Sequence, residues 1–508
     1  MRARLVGLLA LIALVFGGAS PVSAQDRGAL TADLDAILAS PGMDGSDPGL
    51  VVRTADGELV YNHASDRRRQ PASNEKLVTS ATALDVLGPD YRFSTTVHAA
   101  GSRRGAVLHG DLVLRGTGDP TMLAADYDAL AAKVADAGLR VVTGRLVADD
   151  TWFDDVRQGV SWAWDDEPYY YNAQVSALTV APDTDYDAGS IIVRVAPGPN
   201  GKAVVTTEPP TDYVTVANTA VTGPAGSANT ISVDRVHGTN TFTVTGSIPS
   251  GGATTSEWMA VWEPTDFAAS LFRAALGRHG VQVVGQTTRG AVPAAATVVA
   301  TRTSMPLREL LVPFLKLSNN LHAEILVKAM GRATSDQGTW TAGLDAVSSK
   351  LSAYGINPAR VSLRDGSGLS RMDQISPDQL VSLLGAARNR PWFHDWYEAL
   401  PIAGETDKLV GGTLRSRMRG TPAEGNVHAK TGSLTGVSSL SGYVTTADGQ
   451  QWVFSMVTNN GLGVTLKNLE DAVAVRLAQE GSTARMVIPS TSPSSAVSEL
   501  ECSWVKAC

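Results

Sequence analysis

The sequence predicts a multi-domain α/β (α+β) chain, in which a helical cluster packs on an antiparallel sheet and β-rich domains are inserted between the parts of that unit. Three observations lead there. Hairpin patterns stand near both ends of the chain, a long stretch rich in Val, Thr, Gly and Pro fills its middle, and helical patterns follow that stretch. A length of 508 residues exceeds one compact core, so two or three domains are expected.

Taken in order, Met1 to Ala24 reads as a secretory signal peptide. Arg2 and Arg4 form its positive start, Leu5 to Phe16 its apolar stretch, and Val22-Ser23-Ala24 its small-residue cleavage site. The mature chain then starts near Gln25, and no later run reaches the roughly 18 apolar residues of a membrane span. Leu50-Val51-Val52 and Leu59-Val60-Tyr61 flank the turn signal Ala55-Asp56-Gly57; Gly442-Tyr443-Val444 and Trp452-Val453-Phe454 flank Ala447-Asp448-Gly449 in the same way. Sheet strands are therefore expected from both ends. Between Ser94 and about Ala300 the chain reads as β-rich, most clearly at Ile191 to Gly251. One helix interrupts it, starting at the cap-like pair Thr265-Asp266 and carrying Phe267, Leu271 and Ala275 on one face. Helical patterns dominate from Leu307 to Arg388, and Leu466, Leu469, Val473 and Leu477 mark the apolar face of a final helix. After about Thr483 a Ser, Pro and Val rich tail follows, and no solenoid repeat is present.

Composition removes several classes of function. Hydrophobic content of 43% with 18% charged residues fits a folded soluble protein. The formal charge is -8, and loss of Arg2 and Arg4 with the signal takes it to -10, since that segment holds no acid. An acidic chain lacks the clustered basic residues that nucleic acid requires. The one dense basic run, Arg67-Arg68-Arg69, reads as a solvated loop. Cys502 and Cys508, at the extreme C-terminus, are the only cysteines, which excludes thiol catalysis and cysteine-ligated zinc; they are free to pair with each other after export. His63, His322 and His428 lack the H-E-x-x-H arrangement and read as ordinary surface or core residues, so no metal and no cofactor are expected.

Three short motifs carry the chemistry. Ser73-Asn74-Glu75-Lys76 precedes a helix-like run from Leu77 to Leu87 that stops at Gly88-Pro89. On a first helical turn, residues three apart share a face, so the Lys76 amine can approach the Ser73 hydroxyl. A serine needs such a base to be a nucleophile at neutral pH, and the lysine must then be neutral. Ser503-Trp504-Val505-Lys506 matches the same pattern but leaves no room for a supporting helix. Ser318-Asn319-Asn320 lies between the helical runs Leu307 to Leu315 and Leu321 to Met330, where a hydroxyl and a carboxamide can relay a proton and hold a substrate amide; Ser227-Ala228-Asn229 is a decoy among Gly and Pro. Lys430-Thr431-Gly432, followed by Ser433-Leu434-Thr435, offers a positive charge and a hydroxyl to a carboxylate. Gly432 would let an extended substrate lie against an edge strand.

In this order, in an exported chain, the three motifs resemble those of the active-site serine penicillin-binding proteins and β-lactamases. The 245 positions between Ser73 and Ser318 exceed what a simple β-lactamase needs. That spacing is similar to the class C low-molecular-mass penicillin-binding proteins, the D-alanyl-D-alanine carboxypeptidase/endopeptidase family. Gly116-Thr117-Gly118-Asp119-Pro120, Ala323-Glu324 and Asp365-Gly366-Ser367-Gly368-Leu369-Ser370-Arg371 also look like that family. The resemblance spans roughly Leu30 to Ala478. It implies a β-lactamase/transpeptidase-like catalytic domain from residues 25–93 and 298–485, an inserted domain from 94–187 and 257–297, a second inserted β-rich domain at 188–256, and a flexible tail at 486–508.

The resemblance further implies that Ser73 attacks the D-alanyl-D-alanine carbonyl of peptidoglycan stem peptides, with Lys76 as proton acceptor and Ser318 as proton donor to the leaving amine. Asn320 would hold the acyl-side amide, Lys430 and Thr431 the terminal carboxylate, and the backbone N–H groups of Ser73 and Ser433 the oxyanion, with Gly432 and Thr435 beside them. β-Lactams would acylate the same serine. Trp162-Ala163-Trp164-Asp165-Asp166-Glu167-Pro168-Tyr169-Tyr170-Tyr171 is similar to a loop that actinobacterial-type members present to the active site; Trp162, Asp165 and Tyr170, with Arg371, would recognise the zwitterionic end of a diaminopimelate side chain. Two other readings share these residues: a β-lactamase or esterase, which needs an efficient deacylating base with no counterpart evident here, and a non-catalytic β-lactam or peptidoglycan sensor.

Overall fold

The computed structural model describes residues 24–461 and 465–482. The expected signal peptide up to Ser23, the expected tail at 486–508, both cysteines and the Ser503 decoy lie outside the described residues. Among the described residues no helix is long and apolar enough to cross a membrane.

The two ends of the chain meet in one five-stranded antiparallel sheet, in the order His428–Leu434, Val437–Thr445, Gln451–Asn459, Asp47–Thr54, Leu59–His63. Both expected hairpins form: Leu50 pairs with His63 across one turn, and Thr445 with Gln451 across the other. Side chains alternate between faces along each strand. Val51, Val453, Val457 and Tyr443 face a helical cluster through Leu77, Phe314, Leu380 and Trp396. Leu50, Val52, Leu440, Phe454 and Met456 face the opposite way, onto the first and last helices, Ala24–Leu38 and Thr465–Ala478, through Leu34, Val473 and Leu477. Both faces are thus covered, which explains why Leu50-Val51-Val52 is an unbroken apolar run. Each such fully buried side chain contributes roughly 1.5–3 kcal/mol relative to exposure.

The stretch from Ser94 to Thr303 builds a seven-stranded mixed sheet around Val107–Gly116 and Ser94–Arg104, and three smaller sheets. It holds two helices where one was expected. The additional one, Ala124–Asp136, buries Tyr127, Leu130, Ala131 and Val134 at helical spacing, but its alanines dilute the pattern. The other begins at Pro264, ahead of the expected cap pair. Thr265 donates instead to Asp150 and Asp266 pairs with Arg289, so neither residue caps the helix. Both helices pack on the large sheet through Tyr127, Phe267 and Phe272.

The basic run at 67–69 divides: Arg67 and Arg68 are exposed, whereas Arg69 is buried and donates to Asp47 and to the carbonyls of Pro48 and Ala64. His63 is exposed, and His428 is buried and stacked on Tyr397. Asp119 accepts from Thr121 N–H at 2.9 Å and pairs with Arg302 on the strand Thr297–Thr303, so this part of the Gly116–Pro120 segment locks one strand end to another.

Candidate active site

Ser73 lies in a tight 3-10 turn, Ala72–Asn74, that runs directly into the helix Glu75–Val86. The turn forces Ala72 to φ 48°, a conformation that costs a non-glycine residue energy and is found mostly where function requires it. Lys76 is fully buried one turn on. Its Nζ donates to Ser73 Oγ at 2.7 Å, to Asn320 Oδ1 at 2.7 Å and to the Ser367 carbonyl at 2.8 Å. The i to i+3 spacing therefore delivers the approach expected of it, and all three oxygens are uncharged.

Ser318 and Asn320 flank the break between the helices Leu307–Lys316 and Asn320–Ser335. Ser318 holds φ 61°, the left-handed conformation that reverses the chain and turns its hydroxyl toward Lys430, whose Nζ donates to Ser318 Oγ at 2.7 Å. Asn320 Nδ2 donates to the Tyr171 carbonyl at 2.8 Å, which fixes the amide so that its oxygen meets Lys76. Lys430, Thr431, Gly432 and Ser433 lie on the outer strand His428–Leu434, and Thr431 Oγ1 donates to Thr413 at 2.8 Å. The decoy Ser227-Ala228-Asn229 is spent on local bonds, Ser227 to Pro224 and Asn229 to Thr255.

That strand packs directly on the turn carrying Ser73. Asn74 Nδ2 donates to the Lys430 carbonyl at 3.2 Å and to Ser439 Oγ at 2.6 Å, and Ser439 Oγ donates to the Pro71 carbonyl at 2.8 Å. A Cβ at Gly432 would stand 2.2 Å from Ser439 Oγ and 3.0 Å from Ser73 N. The turn carrying Ser73 itself therefore demands glycine there, a reason the motif alone did not supply.

Four residues that hold this arrangement carried no role in the motif reading: Ser367, Glu324, Asp365 and Asn74. Glu324 accepts from Gly366 N at 3.0 Å, Ser367 N at 2.8 Å and Trp340 Nε1 at 2.7 Å. Asp365 accepts from the N–H groups of Ser367, Gly368 and Ser370. Together they fold the 365–370 segment so that the Ser367 carbonyl points at Lys76. Burial and the neighbouring Asp365 push Glu324 up to about 7. His322, on the same helix, is pushed down to about 4 by burial and donates through Nε2 to the Tyr186 carbonyl at 2.9 Å, which makes it a neutral core residue.

The aromatic loop lies along the same site. Tyr170 and Tyr171 line a small cavity with Ser318 and Asn320. Trp162 is committed to structure: its Nε1 donates to Asp365 Oδ2 at 2.8 Å and its ring meets Trp340 edge-on at 6.1 Å. Asp165 is exposed, and Arg371 donates to the carbonyl of the exposed Thr435 at 2.9 Å and to Gln70 Oε1 at 3.3 Å.

Residues 30–480 match the D-Ala-D-Ala carboxypeptidase 3 (S13) family. The chain belongs to that family. A D-alanyl-D-alanine carboxypeptidase from an Actinomadura species is 48% identical over 100% of this chain and 96% of its own length. The crystal structure of penicillin binding protein 4 (dacB) from Haemophilus influenzae superposes with a TM-score of 0.75 at 25% identity, covering 89% of this chain and 98% of that one. A second structure of the Haemophilus protein, in complex with a novel β-lactam, superposes with a TM-score of 0.70 at 25% identity over 88% of this chain and 98% of that one. Family membership accords with the β-lactamase/transpeptidase-like reading of the sheet and its helices.

Proposed function

We propose that this chain is an exported serine D-alanyl-D-alanine carboxypeptidase, with endopeptidase activity on the same bond in cross-linked peptide, acting on peptidoglycan stem peptides through an acyl-enzyme on Ser73. The arrangement of Lys76 carries the reading. Of the three oxygens to which its Nζ donates above, two are carbonyl oxygens, which only accept hydrogen bonds, and the other is the Ser73 hydroxyl. A neutral amine has two N–H groups and one lone pair. If the N–H groups go to Asn320 and Ser367, the lone pair faces the one partner that can give up a proton.

Ser73 Oγ then attacks the carbonyl of the penultimate D-alanine while its proton passes to Lys76. The oxyanion rests between the N–H groups of Ser73 and Ser433, an interaction commonly worth about 3 kcal/mol per donor. Ser318, held by Lys430, delivers a proton to the departing amine and regains one from Lys76, which thereby passes on the proton it took from Ser73 and is neutral again; the C–N bond breaks to release D-alanine. Water attacks the ester carbonyl, gives its proton back through Lys76, and frees Ser73. Asn320 orients the acyl-side amide, and Lys430 with Thr431 draws the terminal carboxylate. β-Lactams, which place an amide carbonyl in the same position, acylate Ser73 by the same attack and leave slowly. The similarity to the Actinomadura carboxypeptidase and to a fold that accommodates a β-lactam supports this reading.

At the rim, Asp165 and Arg371 supply opposite charges for the zwitterionic end of a diaminopimelate side chain, with Tyr170 at its base. Trp162 supports that subsite from behind by holding Asp365.

The deciding experiment incubates the protein with fluorescent penicillin and, separately, with a D-Ala-D-Ala peptide, using Ser73→Ala as control. Covalent labelling and release of D-alanine, both lost in the variant, are expected. Labelling without any hydrolysis of the peptide would make the protein a sensor, and rapid nitrocefin turnover with negligible D-alanine release would make it a β-lactamase.

A further inference from the structure

Beneath Lys76 lies a group of carboxyls that the reaction above does not use. Glu75, from the nucleophile helix, and Asp365 and Asp373, from the segment that carries Ser367, place carboxyl oxygens within 4.8 Å of one another. Their exposures are 1%, 1% and 0%. Asp365 is saturated, because the three backbone N–H groups of Ser367, Gly368 and Ser370 and the Trp162 indole all donate to it. Asp373 accepts the Arg364 N–H at 2.6 Å through Oδ1. Both oxygens of Glu75 and Oδ2 of Asp373 receive no hydrogen bond from a nitrogen or hydroxyl donor among the described residues.

Buried like charges this close must be neutralised. A calcium ion takes six to eight oxygens and a magnesium ion an octahedron that usually retains waters. Three uncommitted oxygens in a group exposed by at most 1% fall short of both shells. A proton needs only two oxygens, and a carboxylic acid O–H is the one donor these groups can offer each other. The charged and titratable groups facing Glu75 are Asp365 and Asp373 from the Ser367 segment, Glu324 from the helix Asn320–Ser335, and Lys76 on its own helix. His322, which also senses Lys76, is neutral.

We propose that Glu75 and Asp373 retain a shared proton at working pH, and that this proton limits the negative charge beneath Lys76 and so keeps the lysine available as a neutral base. Burial, together with the neighbouring carboxylates, holds both groups well above the usual carboxylate range, in accord with the geometry. Loss of the proton would add an anionic charge next to Lys76 and favour its ammonium form, which has no lone pair to accept from Ser73. Glu75 is thus a tuning residue that acts through Lys76, and its kinetic effect rests on the reading of Lys76 as the base.

The test compares the mature protein with Glu75→Gln, and with Asp373→Asn should the first variant fail to fold. Infrared difference spectra should show the C=O stretch of a protonated carboxyl at neutral pH in the parent and its loss in Glu75→Gln. The rate of acylation by fluorescent penicillin should be within about threefold of the parent at pH 7, and its acid limb, set by loss of the Lys76 ammonium proton, should stay within about half a pH unit, because the shared proton already leaves Glu75 and Asp373 with the single negative charge that Asp373 alone carries in the variant. An absent infrared band, an acid limb moved down by about one pH unit or more in a folded variant, as removal of a second carboxylate charge would cause, or a melting temperature lowered by EDTA, which would indicate a bound cation, would each overturn the proposal. If the parent is not labelled at any pH, the reading of Lys76 as base fails by itself, and the infrared band still decides whether the proton is shared.

Discussion

Recognition of a zwitterion requires a cation and an anion at matched positions, and in the proposed rim subsite Arg371 is the cation. Its guanidinium already donates to the Thr435 carbonyl and Gln70, so its planar fork is held in place before substrate arrives. Arg371→Ala should therefore lower kcat/KM for peptides with a free diaminopimelyl end by roughly tenfold or more, in keeping with a charge-assisted hydrogen bond, and much less for a simple acylated D-Ala-D-Ala. Equal losses on both substrates would reject the subsite and leave Arg371 as a brace for the outer strand. At this scale the sequence singled out Ser73, Lys76, Ser318, Asn320 and Lys430 by distinctive side chains at recognisable spacings, and the structure joins Lys76 to Ser73 and Asn320 and Lys430 to Ser318. Ser367 was not, because it acts through a backbone carbonyl that any residue possesses.

The turn carrying Ser73 shows how elements constrain one another. Ala72 can hold φ 48° only if its surroundings enforce it, and Gly368 packs closely against its carbonyl. Gly368 itself has φ 81°, and a Cβ there would lie 1.9 Å from the Ala72 carbonyl oxygen. Gly368→Ala should thus be felt twice, as strain at its own backbone and as displacement of the turn carrying Ser73. A stability loss of about 1–3 kcal/mol is expected from strain of this kind, read as a lower denaturant midpoint, with a parallel fall in the rate of penicillin acylation. Unchanged acylation in the destabilised variant would uncouple this loop from the nucleophile. The glycines were visible in the sequence, but what they touch was not. Gly432, expected to admit substrate, proves to be hemmed in by Ser439 and the Ser73 amide.

At the scale of the whole molecule, pH dependence separates buried groups by sign. His322 has a folded value near 4 against an unfolded value near 6.5, so its contribution to stability is fully present above about pH 6.5 and is lost as pH falls toward 4. The loss amounts to roughly 3 kcal/mol for a fully buried imidazole. Glu324, pushed up to about 7, contributes in the opposite sense: its stability is fully present below about pH 4.5 and is lost as pH rises toward 7. Comparison of the parent with His322→Gln cancels the Glu324 contribution common to both, and the parent should lose stability relative to the variant between pH 6.5 and 4. Parallel profiles would mean that His322 is already neutral and equally shifted in the unfolded chain.

The sequence by itself determined the local elements and the chemical inventory: hairpins at both ends, helices around Ser318 and Asn320, and a lysine one turn after the nucleophile. These depend on spacing along the chain, which periodicity records directly. Only the tertiary structure decided that Lys76 meets Asn320 and Lys430 meets Ser318, that both faces of the sheet are covered, and that Glu75 lies against Asp365 and Asp373. Such contacts join residues hundreds of positions apart, and their existence depends on how whole layers pack, a property that no short stretch of residues encodes.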